Sequence, residues 1–217
     1  MIVAFAVSLF LGLALTPPPG EGAAALLDSL HRHQVLANLT GLFRTVAAFL
    51  VVPALAAIAP AIPERGARLF GLAAAFLYVG SLAGIVLFTQ MIFQNTVLAS
   101  LPDQLIALQI AEAIQASLLW QIPAIPYLVG LLVGFLLLGL AVWRAGLGRL
   151  VGVAIAGGLL LHIAGGDWFV TALVGALVLC SGLTALGLRI ADNPRAQTGP
   201  PDPARNLVSG GPRPTDQ

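Results

Sequence analysis

Residues 119–143 read LWQIPAIPYLVGLLVGFLLLGLAVW, a run of 25 positions with no charged side chain and a tryptophan near each end. At 1.5 Å per residue, Trp120 and Trp143 stand roughly 35 Å apart along an α-helix, enough to cross a hydrocarbon core of about 30 Å with some tilt. Inside lipid every backbone N–H and C=O must find its partner within the protein, and a helix supplies those partners from its own segment. Tryptophan rings prefer the headgroup level, where one edge is apolar and the other wet. The stretch reads as a transmembrane helix anchored at both interfaces.

The rest of the chain agrees. Of 217 residues, 59% are hydrophobic and 9% charged, with a mean hydropathy of +0.97. A soluble domain carries about 25% charged residues. A water-soluble fold of this size would lack the charge to cover its surface, whereas lipid needs none. Five further apolar segments cover residues 2–15, 42–62, 69–93, 150–164 and 168–190. The first ends at Thr16-Pro17-Pro18-Pro19-Gly20, which no helix passes unbroken. It lacks a basic n-region, and cleavage near its end would place proline beside the scissile bond, so it reads as a retained helix and not a signal peptide. The fifth span is short and holds Gly157-Gly158; the sixth follows at once after Gly165-Gly166-Asp167. The expected architecture is an all-α polytopic transmembrane helix bundle of about six spans within residues 1–190. The Pro-, Gly-, Asp- and Arg-rich residues 191–217 read as a disordered cytoplasmic tail.

Orientation follows from arginine, since the chain contains no lysine. Arg65, Arg68, Arg144, Arg149, Arg189, Arg195, Arg205 and Arg213 fall on one side of the six spans, and only Arg32 and Arg44 on the other. The positive-inside rule then puts both termini in the cytoplasm of a bacterial cell and the protein in its plasma membrane. The formal net charge of +1 gives no field that would attract nucleic acid.

Two outer connections are themselves amphipathic. Residues 23–38 carry Leu26, Leu27, Leu30 and Leu36 against Asp28, Arg32 and Gln34, with Asp28 and Arg32 four apart on one face. Residues 103–121 open at Pro102-Asp103, with Ser100 or Leu101 expected at the cap, and intersperse Gln104, Gln109, Glu112 and Gln115 with apolar positions. Both read as helices lying on the outer ends of the bundle.

The candidate chemistry gathers on that outer side. Gln90 and Gln94 at the end of the third span, Glu112 on the second outer helix, and His162 with Asp167 near the end of the fifth are the residues able to line an outward-facing polar pocket. Ionisable groups inside a span are costly and tend to face the bundle interior or a water-filled cavity. A histidine near an outer carboxylate can bind a cation or relay a proton, although a spacing of five does not place His162 and Asp167 on one helical face. The pairing of His31 and His33 lacks metal-ligand spacing, and the single Cys180 excludes an internal disulfide. No catalytic residue, metal site or cofactor is read from the sequence. Small-residue pairs at Gly80 and Gly84, Gly130 and Gly134, and Gly148 and Gly152 let helix backbones approach closely, within the chain or across a homodimer.

The short first span ending in a Pro-rich turn, the outer helix before span two, and the exit Trp143-Arg144-Ala145-Gly146 from span four resemble six-span bacterial membrane proteins of actinobacterial type. The resemblance covers the six spans and excludes the tail. That family of uncharacterised membrane proteins carries no assigned activity, so it implies an architecture and transfers no functional residue. The leading expectation is a non-enzymatic accessory or envelope-associated protein of the plasma membrane, with the bilayer as its partner. A small transporter or permease using the outward-facing pocket is the alternative, and an intramembrane enzyme the third reading.

Overall fold

The computed structural model describes residues 1–16, 22–165 and 169–192, and every regular element among them is helical. Helices α1 (Ile2–Ala14), α2 (Gly22–Ile58), α3 (Glu64–Ser100), α4 (Gln104–Gln115), α5 (Leu118–Arg144), α6 (Arg149–Ala164) and α7 (Phe169–Ala191) follow in chain order, with a 3₁₀ turn over Ala59–Ala61 after α2. Among the described residues four helical stretches are long and apolar enough to cross a membrane: Leu27–Ala61, Glu64–Ser100, Trp120–Arg144 and Val170–Ala191. The helices α1 and α6 are apolar but shorter. Residues 193–217, read from the sequence as a tail, lie outside the described residues.

The chain leaves α5 through Gly146 at φ 75°, with Gly146 N–H bonded to Trp143 O and Leu147 N–H to Val142 O. This is the paired closure of a helix whose C′ residue is left-handed, a place where glycine has no Cβ penalty. The Trp143-Arg144-Ala145-Gly146 exit is thus a helix stop. The α4 start differs from expectation: Asp103 itself is the cap, its carboxylate accepting from Leu105 N–H and Ile106 N–H. The expected 103–121 helix is interrupted at Ala116–Ser117, where α4 ends and α5 begins. The outer helix expected at residues 23–38 and the span expected from residue 42 form one element, α2, whose backbone leaves helical geometry only at His33 (φ −130°, ψ 31°). Nothing in Leu39-Thr40-Gly41 breaks a helix, so the chain runs on.

Six helices close into a ring. The helices α1 and α2 pack together, α2 on α3, α3 on α5, α5 on α6, α6 on α7, and α7 returns to α1. Glycine sets most of these seams. A Cβ on Gly130 would stand 2.5 Å from Gly80 Cα, and one on Gly84 2.9 Å from the Tyr127 ring, so α3 and α5 meet almost backbone to backbone. Gly139 and Gly152 do the same between α5 and α6, and Gly158 and Gly175 between α6 and α7. Small residues are the main packing device where lipid removes the hydrophobic drive between helices.

The ring interior is filled over one half. Phe5 of α1 stacks on Phe135 of α5 at 6.2 Å, surrounded by Val51, Leu77, Leu138, Ile155, Leu183 and Leu186. This half lies toward the end that carries Arg65, Arg68, Arg144, Arg149 and Arg189, held together where Arg189 Nη1 donates to Leu147 O (2.7 Å) and Gly66 meets Ala141. The opposite end is capped by a second cluster, with Leu27, Leu30 and Ala37 of α2 against Leu98, Ala107 and Ala111. The outside of the ring is apolar as well: Leu72, Val79, Leu82, Ile125, Val153 and Leu177 are all exposed.

Candidate functional site

Between the packed half and the cap, the ring encloses a cleft of about 280 Å³. Three polar side chains reach it, Arg44 from α2, Tyr127 from α5 and His162 from α6. The remaining wall is apolar: Leu9 and Leu13 of α1, Leu128, Leu131 and Phe135 of α5, Leu159 and Ile163 of α6, and Ala172 and Leu179 of α7.

Arg44 is the centre of the arrangement. It lies about 21 Å along α2 from the last residue of that helix, Ile58. The arginine finds its partners on α1, whose last carbonyls have no helical acceptor role left to fill. Its Nε donates to Gly12 O (2.9 Å) and its Nη2 to Thr16 Oγ1 (2.8 Å), while the Thr16 hydroxyl itself donates to Gly12 O (3.1 Å). One turn earlier Thr40 Oγ1 donates to Leu15 O (2.7 Å). A positive group at a helix C-terminus is also favoured by the macrodipole. Gly12 makes the approach possible, since a Cβ there would stand 2.7 Å from Arg44 Cγ.

On its other side the guanidinium lies over Phe88, 5.6 Å from the ring centroid. Phe88 in turn meets Tyr127 edge-on at 5.0 Å, and Gly84 lets the phenol seat against α3. A cation over an aromatic face gains electrostatically, more so when desolvated. Among the described residues Arg44 has no carboxylate partner, and the ion pair present is Arg32 with Asp28 (2.9 Å), on the exposed start of α2. Among the described residues the hydrogen bonds of Arg44 use Nε and Nη2, and Nη1 and the second Nη2 hydrogen have no partner there.

His162 is held in place by α7: a carbonyl only accepts, so its Nδ1–H donates to Ala172 O at 2.9 Å. The ring is oriented by the tight α6–α7 seam, where Gly175 fits directly against the His162 backbone.

Of the residues expected to form an outer polar pocket, His162 is the one that lines this cleft. Gln90 is half-buried on α3, and its Oε1 is a buried acceptor without a partner among the described residues, as is Asn38 Oδ1 on α2. Gln94 is half-buried one turn further along α3, and Glu112 is exposed on α4. Asp167 lies outside the described residues. A second hollow of about 280 Å³ sits at the cap, lined by Asp28, His31 and Gln104. There Asp28 is already paired with Arg32, and His31 Nδ1 bonds Leu27 O. Among the described residues no three His, Cys, Asp or Glu side chains gather as a metal site would require.

Arg44 and Tyr127 were not singled out in the sequence. A signal for the first existed: between Arg32 and Glu64 it is the sole charge in a long apolar run, and an arginine so placed must be compensated. Tyr127, within LWQIPAIPYLVG, carries no such mark. Comparison with known protein families, curated proteins and solved structures finds no match for this chain.

Proposed function

We propose that the chain is a six-span, non-enzymatic plasma-membrane protein that binds a small anionic ligand in the cleft around Arg44 and works as a carrier or permease. The short helices α1 and α6 complete the ring by packing on α2 and α7, and on α5 and α7. In a thinned or tilted setting such helices serve as spans. The arginine-bearing end faces the cytoplasm in this reading, with both termini there, and Arg44 lies in the outer part of the bilayer.

The observation that carries the proposal is Arg44: a guanidinium inside an apolar ring, lining a cleft, with no carboxylate partner among the described residues. An enclosed cation is expensive unless paired, and an anionic ligand supplies the missing charge. A purely architectural accessory role has no need for a cleft at that point. Treatment of the folded protein in lipid nanodiscs with phenylglyoxal, followed by peptide mass spectrometry, tests this reading. Modification of Arg44 from the cleft supports it. An Arg44 left unmodified while Arg144 and Arg149 react reduces the residue to a helix cap and returns the protein to the accessory role.

A further inference from the structure

The seam between α5 and α6 changes character along its length. Toward the arginine-bearing end it is closed, with Gly139 against Gly152 O and Ala156, and Gly152 against Trp143. Beyond that, each helix turns its small residues to a different neighbour. On α5, Gly130 and Gly134 face Gly80 and Leu77 of α3. On α6, Gly158 and Gly165 face Leu179 and Ala172 of α7. Over the half of the bundle that holds the cleft, neither helix presents those glycines to the other. Leu128 of α5 and Ile163 of α6 both line the cleft and are 60% and 49% exposed. In a ring ordered α1, α2, α3, α5, α6, α7, the seam between α5 and α6 lies across from α2, which carries Arg44.

We infer that the cleft opens sideways into the membrane between Leu128 and Ile163, and that its ligand is a single-chain monoanionic amphiphile of the fatty-carboxylate type, head on Arg44 and tail leaving through the seam. The inference rests on the anion-binding reading and adds the ligand class and route. One uncommitted guanidinium edge matches the two oxygens of one carboxylate. One positive charge balances one negative charge, so a dianionic head would remain undercompensated. Tyr127 can donate its hydroxyl to the same head. At about 280 Å³ the cleft has room for a carboxylate and its first few methylenes. The rest of a longer tail lies in lipid. Each methylene there raises membrane partition about fourfold, which favours long chains over short ones.

Thermal unfolding of the full chain in neutral phosphatidylcholine nanodiscs tests this with three probes: laurate, acetate as the head alone, and dodecanol as the tail alone. Laurate is expected to raise the midpoint by about 5 °C at saturation, with acetate and dodecanol inactive. R44M is expected to abolish the laurate shift. Leu128→Trp and Ile163→Trp, which block the seam without touching the arginine, are expected to abolish it too and keep the test open if R44M does not fold. Val129→Trp, on the same helix but outside the cleft lining, is expected to leave the shift intact. An Arg44-dependent shift with acetate equal to that with laurate would overturn the amphiphile while leaving an anion site in place. A laurate shift shared by dodecanol, or surviving in R44M and L128W, would overturn the inference as simple partition into lipid. No laurate shift, with Arg44 still open to phenylglyoxal, would overturn the ligand class and spare the cleft.

Discussion

Thr16→Val is the sharpest probe of how Arg44 is held. Valine keeps the volume of threonine but removes the hydroxyl that accepts from Arg44 Nη2 at 2.8 Å and donates to Gly12 O at 3.1 Å. Gly12 O retains its bond from Arg44 Nε, so of the two bonds lost the costly one is the charge-assisted hydrogen bond, left unmade by the arginine. Such a bond contributes about 1.5–3 kcal/mol, and about 2 kcal/mol corresponds to a fall of about 4–8 °C in midpoint for a chain of this size. Arg44→Met behaves differently. It removes both charged bonds, but also the cost of keeping a guanidinium out of water, and Thr16 still satisfies Gly12 O. The two terms nearly cancel, so R44M is expected within about 1 kcal/mol of the parent. The hydroxyl matters because the cation is there. Adding R44M to T16V is therefore expected to recover part of the loss, a coupling that a double-mutant cycle resolves. Reversible unfolding in mixed micelles by dodecyl sulfate titration provides the four stabilities. Additive losses, with R44M the most damaging single change, would refute the reasoning and make Arg44 a net-stabilising cap.

Other expectations concern the scaffold. Gly175→Leu should abolish a monodisperse folded peak in size-exclusion chromatography, because Gly175 fits directly against the His162 backbone; Gly157→Ala, with nothing within 4 Å, should be tolerated and gain up to about 1 kcal/mol of helix propensity. Asp103→Ala removes the acceptor for Leu105 N–H and Ile106 N–H and should cost about 1 kcal/mol, read as faster hydrogen exchange at those two amides with α5 unaffected. Phe135→Ala empties the centre of the packed half, where Phe135 is 1% exposed, and should cost about 3–5 kcal/mol by the same micellar titration.

Helix positions were legible because lipid imposes a composition that local sequence must satisfy. The run at residues 119–143 became α5 (Leu118–Arg144), and the short run at 150–164 became α6 (Arg149–Ala164), each within a residue at either end. The elements that ran longer than their apolar core did so where polar residues are not breakers. Gln94 and Asn95 sit inside α3, and Pro53, Pro123 and Pro126 lie inside α2 and α5 without ending them. Several glycine pairs were legible as packing, but which helix each would face was not: Gly148, read as half of a close-approach pair, holds the loop at φ 133° beside Arg189. The cleft was the least legible feature. Arg44, Tyr127 and His162 come from three helices, and no spacing along the chain relates them. Only ring closure places them on one cavity. His162 was marked by its cost in an apolar helix, whereas Arg44, counted with the loop charges, lies inside α2 because that helix does not end where its apolar run begins.

The central claim is that Arg44 receives a carboxylate inside the ring, and ¹³C spectroscopy of [1-¹³C]laurate in nanodiscs addresses it at the atom concerned. A carboxylate beside a guanidinium is held ionised to lower pH than one free in lipid, where desolvation favours the protonated form. The account therefore expects two carboxyl resonances with the parent protein. One follows the lipid pool as pH falls; the other stays ionised further down and disappears in R44M. A single resonance that titrates as it does in empty nanodiscs would contradict the account.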